Sequence, residues 1–275
     1  MTAAACLFLG VIVGCGQAAD YGSAREHASI PPSPEEEAPP PDPPAEFRRL
    51  TLAPIPGAPD LVTALLDKSE SFETRRRLVE LYERAAYLGA ARFFENSIRE
   101  LGGQAPLLEK VRNPVAWSAT ERDLEERPLE VARRVSRLLS QSRYTEAVQA
   151  AQREIEENGS TLQVAVQWSY AVLWQAMASP DQVSPEALEV AIRVFLTSLE
   201  EKVPNAVEID SKAKGYGHLA RVFFRLGDTI SSRAAAKLAL EHLAVTDTSP
   251  EWDKFAAQRL QELLREIEKS SSDPE

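Results

Sequence analysis

The sequence predicts an all-α fold assembled from helix hairpins that stack on one another. Three observations carry this. Apolar residues recur along most of the chain after residue 58 at the spacing of one helix face. Alternating Val/Ile/Thr runs, the signature of strands, are sparse. Breaks such as Leu88-Gly89, Gly102-Gly103, Asn158-Gly159 and Gly227-Asp228 separate helix-length stretches, none of which can bury its apolar stripe alone.

Composition bounds the rest. The chain has 275 residues, 44% hydrophobic and 27% charged, enough for one sizeable helical domain with tails. Its net charge of -11 argues against a nucleic-acid partner, because a phosphate backbone needs a basic footprint. The two cysteines, Cys6 and Cys15, both precede the body. The body therefore has no disulfide, thiolate metal site or cysteine nucleophile.

Residues 1–14 read as a leader. Ala3 to Val13 is apolar, too short to span a bilayer but of the length of a secretory signal core. Ile12-Val13-Gly14-Cys15 follows directly and resembles the bacterial lipobox. That resemblance implies diacylglyceryl transfer to the Cys15 thiol and cleavage before it. Two or three acyl chains anchor stably, at about 0.8 kcal/mol per buried methylene. The covalent lipid on Cys15 is the only non-protein group expected, with no cofactor. The implied site is the bacterial cell envelope; Gly16 in place of Asp favours the periplasmic face of the outer membrane, with the inner membrane and the cell surface as the alternatives.

Residues 15–57 have no helical or strand period. Their centre, Pro31 to Pro44 (PPSPEEEAPPPDPP), combines prolines with repelling carboxylates, which predicts a disordered tether that lifts the body off a lipid surface.

The body is placed at 58–270, with a loose tail at 271–275. Asp60 is the expected cap of a short first helix. Ser71 to Tyr87 and Ala90 to Leu101 form the first hairpin, in which Phe93 and Phe94 cannot share a face. One of them is expected to pack on the next unit. Pro106, Pro114 and Pro128 punctuate a long connection holding Trp117, a packing anchor. Val131, Val135 and Leu138, then Tyr144, Ala147 and Ala151, mark the second hairpin. Leu162 to Trp174 is apolar nearly all round, as for a helix at the centre of an array. Ser184-Pro185-Glu186 opens its partner as a cap, a first-turn proline and an early acid. Pro250 to Ser270, with Trp252, Phe255, Ala256, Leu260, Leu263, Leu264 and Ile267 as its stripe, suits a solvent-facing cap.

Tyr216 to Leu243 is the most informative unit. Tyr216-x2-Leu219-Ala220-x2-Phe223 marks one helix face, Gly227-Asp228 the turn, and Ser232, Ala236 and Ala239 the returning helix. The unit resembles the tetratricopeptide repeat, with Ala220 where the family has Gly. The resemblance implies a tetratricopeptide-like α-solenoid with a C-terminal capping helix. It also implies a groove, lined by first helices, that binds a protein or peptide. On the groove side this unit carries Lys214, Arg221, Phe224 and Arg225; positions 214, 221 and 225 follow the helical period and are basic on an acidic chain. They predict a site for a carboxylate or acidic peptide.

Catalytic motifs are absent: no HExxH, GxSxG, Walker loop or GxGxxG. The histidines His27, His218 and His242 stand without a serine or carboxylate pattern, and most acids read as solvated helix faces. The expectation is a scaffold or adaptor of the envelope, with no catalytic and no metal-binding residues. The rivals are a cell-wall-active enzyme on a helical frame, which needs convergent acids in a deep pocket, and a purely structural lipoprotein, which needs no groove.

Overall fold

The computed structural model describes residues 52–103, 126–200, 212–245 and 250–272, all within one unit of the chain. The leader, Cys15, the Pro-rich stretch, His27, Trp117 and the long connection lie outside the described residues. The fold is all-α. The helices are α1 (Ala58–Asp67), α2 (Phe72–Arg84), α3 (Leu88–Glu100), α4 (Glu126–Ser140) and α5 (Tyr144–Asn158). They continue as α6 (Leu162–Ala178), α7 (Pro185–Glu200), α8 (Lys212–Leu226), α9 (Thr229–Val245) and α10 (Pro250–Ser272). No described helix is long and apolar enough to cross a membrane.

Local chemistry fixes where helices start. Ser71 Oγ accepts from Thr74 N, Thr161 Oγ1 from Val164 N, Ser184 Oγ from Ala187 N and Asp228 Oδ1 from Ser231 N, each satisfying an orphan donor of a first turn. Asp60, expected as a cap, instead lies in the first turn of α1, whose cap position is Gly57. Pro59 tolerates the helical position it takes there, and the Asp60 carboxylate still favours the positive helix end.

Two hairpins share one turn. Ala86 and Ser142 both adopt left-handed backbone, with φ of 60° and 57°. Tyr87 N and Arg143 N then reach back five residues to the carbonyls of Tyr82 and Leu138. The α2–α3 break therefore falls at Ala86, ahead of the expected Leu88-Gly89, and Gly89 is helical.

The hairpins α4–α5, α6–α7 and α8–α9 pack in succession. Both α4 and α5 touch α6, α6 touches α8, and α10 closes on α9 and α8. The neighbours on several sides explain why α6 is apolar all round: Val164, Ala165, Val166, Ala171, Val172 and Leu173 are all buried. On the last helix Leu260, Leu263 and Ile267 are buried as expected, whereas Phe255 is 44% exposed. The helix runs two residues past Ser270, into the expected tail.

The N-terminal hairpin departs from a simple array. It packs through α3 on α7 and α9, and α1 packs on α2 and α7. The adjacent phenylalanines explain how. Phe94 meets Tyr82 of its own hairpin, with ring centres 5.9 Å apart. Phe93 meets Phe223 at 5.5 Å and Tyr216 at 6.3 Å, both stacked rings of α8. The unit that receives Phe93 is thus the last hairpin of the chain rather than the next one.

Two buried ion pairs secure this arrangement, and neither follows from the expectation of solvated acids. Arg75, wholly buried, bonds both carboxylate oxygens of Asp228 (2.5 and 3.4 Å), Ser231 Oγ (2.7 Å) and the Ser69 carbonyl (2.5 Å). Arg193 donates to Glu189 Oε1 at 2.7 Å and to the Ala53 carbonyl at 2.8 Å, with its guanidinium 4.2 Å over the Tyr87 ring. Glu189 also accepts from Ile55 N at 3.4 Å. Leu52 and Ile55 pack on the core beside this pair, so the body begins before the expected residue 58. The Tyr82 phenol stands next to Glu189; burial first, and the carboxylate charge second, raise its pKa well above the ordinary value.

Candidate functional site

The site is built on α8, whose two faces divide the work. Tyr216, Leu219 and Phe223 are buried and meet α3 and the core. Lys214, His218, Arg221 and Arg225 recur at 3.6-residue spacing on another face. Lys214 and Arg225 are exposed, and Arg221 and Phe224 are half-buried, with Phe224 packed against the core edge. Three of the four predicted residues thus share a stripe, and Phe224 flanks it.

Arg221 stands among α6, α8 and α10. Burial lowers its pKa first and the neighbouring charge of Arg259 on α10 lowers it further, while Tyr170 on α6 opposes both. The guanidinium stays protonated at any ordinary pH, as its intrinsic pKa is so high. Arg259 lies 5.2 Å over the exposed Phe255 ring and 3.9 Å from Glu262. Arg259, lying over the exposed Phe255 ring, is therefore within electrostatic reach of Arg221, and α10 packs on α8.

Behind them runs a ladder of rings. Tyr144 of α5 stacks on Trp174 of α6 with centres 5.9 Å apart and 3° between planes. Trp174 and Tyr170 meet edge to face at 6.2 Å, and both contact the His218 ring, at 4.7 and 4.8 Å. Tyr170 stacks on Phe195 of α7 at 5.6 Å. Tyr144, Tyr170 and Trp174 are half-buried and keep part of each ring at the surface, whereas Trp168 is buried. Beside Tyr144, Gln175 and Gln182 lies a shallow depression of about 280 Å³.

His218 is the floor of this ladder. Only 7% of it is exposed, and its Nε2 has no hydrogen-bond partner. Burial, aided by the charge of Arg221, lowers its pKa to about 3, so the imidazole is neutral at physiological pH. The cage thus holds a neutral ring within electrostatic reach of a fixed cation, Arg221. Burial likewise raises the Tyr170 pKa, against the opposing effects of Trp174 and Arg221.

The sequence reading missed His218, Tyr170, Trp174, Phe255 and Arg259 as members of this face. A signal existed for His218, which lies one turn from both Lys214 and Arg221. None existed for Arg259, since only packing brings α10 beside α8. Chemically, the face offers planar forks for carboxylates and partly exposed rings for apolar side chains. Among the described residues, no group of three or more His, Cys, Asp or Glu is placed to hold a metal ion. No protein-family model, curated protein or solved structure matches the chain.

Proposed function

We propose that this chain is a lipid-anchored scaffold or adaptor of the bacterial cell envelope. In this reading Cys15 carries the lipid and the tetratricopeptide-like helical body captures a partner protein on its α6–α8–α10 face. The observation that carries the reading is the stripe of Lys214, Arg221 and Arg225 on α8, with His218 of the same stripe against the rings of Tyr170 and Trp174 and with Arg259, over the exposed Phe255 ring, within electrostatic reach of Arg221, on a chain of net charge -11. A net-acidic protein gains solubility from its acids and has no need of a cationic stripe for it. Cations beside partly exposed aromatic rings favour an acidic segment with apolar side chains, held by charge-assisted hydrogen bonds and ring contacts. Binding without catalysis is the reading for the whole body, with no nucleic acid involved.

A peptide array tests it. The body without leader is probed against acidic, neutral and basic peptides that contain aromatic residues, at low and physiological salt. Selective capture of acidic peptides, weakened by salt and by Lys214→Glu/Arg225→Glu, supports the reading. Those two side chains are exposed, so their reversal leaves the fold intact. Equal capture of all three peptide classes overturns it.

A further inference from the structure

The face just described is fixed from behind. The corner between α1 and α2 grips the corner between α8 and α9 through several independent contacts. Arg75 holds Asp228 and Ser231 while also binding the Ser69 carbonyl. Ser69 Oγ meets Thr229 Oγ1 at 3.3 Å. Gly227, at φ 95°, lies so close to α1 that a Cβ there would stand 3.1 Å from the Leu66 carbonyl oxygen. A few residues away, Phe93 stacks on Tyr216 and Phe223, the buried face of α8. The stripe of Arg221 and Arg225 ends only three residues before Asp228.

Besides its hairpin partner α9 and the closing helix α10, α8 is held from two further sides. One face rests against Tyr170 and Trp174 of α6 through His218. The other rests on a hairpin that is distant in sequence, and that contact is charged at one end and aromatic at the other. No residue of α6 between Leu162 and Ala178 is an Asp, Glu, Lys or Arg, so α6 offers α8 packed rings and the Tyr170–Arg221 interaction where the N-terminal hairpin offers a buried ion pair to the α8–α9 corner. We infer that the N-terminal hairpin is a latch: the Arg75–Asp228 bond and the Phe93 stack set the position of α8 against α6, and their release frees the α8–α9 hairpin as a unit. The proposed partner-binding face is then controlled from buried contacts on the opposite side of α8. The functional meaning of the latch rests on the proposed binding face, but its existence does not, and it is tested without any ligand.

Hydrogen exchange of the whole chain reads it. In Arg75→Met/Asp228→Asn both charges go together, so no buried charge is stranded, and Asn still offers an oxygen to Ser231 N. Phe93→Leu removes the aromatic half alone. A latch predicts that amides of Ala213 to Ser232 exchange at least about tenfold faster in either variant, with α4 and α5 changing by under about twofold. Ala147→Gly, which weakens α5, should give the reverse pattern. Equal acceleration in α4–α5 and α8–α9 means that the contacts only add global stability, and no acceleration means that they hold nothing; either result overturns the latch. Should the double variant fail to fold, Phe93→Leu is judged by the same ratio.

Discussion

Arg75 and Asp228 lie 153 residues apart and meet at 2.5 Å with both side chains buried. The pair closes the N-terminal hairpin onto the α8–α9 hairpin, and among the described residues Asp228 oxygens accept from that guanidinium and from the α9 first turn. Arg75→Ala leaves a buried carboxylate without its cation and costs about 3–5 kcal/mol. Replacing both residues by neutral ones should cost clearly less. Chemical denaturation of the single and double variants checks this, and equal losses would remove the pairing from the account.

Acid should weaken the fold through His218. Its folded pKa, about 3, lies below the ordinary 6.5, so the unfolded chain binds the proton more readily. The stability that comes from keeping it neutral is complete above pH 6.5 and drains as pH falls from there toward 3. The steepest contribution is about 1.4 kcal/mol per pH unit. Substituting His218→Phe should flatten the pH dependence of the melting temperature over that window. An unchanged slope would mean that His218 is not held neutral in its cage.

Helix faces give a further contrast. Ala236 is fully buried between helices, so Ala236→Arg should destabilise by roughly 2–4 kcal/mol. Glu262 is half-exposed and, among the described residues, its polar contacts are local, with Gln258 at 3.0 Å and Arg259 at 3.9 Å. Glu262→Arg should therefore shift stability by about 0.5 kcal/mol or less. Thermal melts that move equally would contradict this placement of faces.

At the other end of the chain, the proposed lipid attachment predicts that Cys15→Ser leaves the protein soluble or as uncleaved precursor, because a hydroxyl replaces the proposed acceptor thiol. Detergent partitioning with mass spectrometry of the N-terminus decides it. A Cys15→Ser protein still held in the membrane counts against lipid attachment there.

Legibility in the sequence follows from the range of each interaction. Most helices were legible because they depend on neighbours: Ser71, Thr161 and Ser184 cap within three residues, and Ala147, Ala151, Ala236 and Ala239 repeat at local spacing, whereas the starts of α1 and α3 fall away from the expected Asp60 and Leu88-Gly89. The Lys214–Arg221–Arg225 stripe was legible for the same reason. Helix pairing across long separations was not. Nothing around Phe93 says that its ring belongs to α8, and nothing around Arg75 sets it apart from Arg76 and Arg77, which are exposed. The Arg221–Arg259 pairing shares that fate, since two amphipathic helices can meet at many registers.

The grip of Arg75 on Asp228 also sets a timetable. Contacts this distant in sequence raise the entropy cost of folding and slow it. As the chain emerges from its N-terminus, the α2–α3 hairpin appears first, and its final partners on α8 and α9 come more than a hundred residues later. Until then Arg75 has no carboxylate and Phe93 no ring to stack on. The first hairpin made is therefore completed late, and a chain cut short before residue 212 can cover it with α7 alone and leaves its α8- and α9-facing side, with Phe93, as the kind of apolar surface that chaperones and proteases engage.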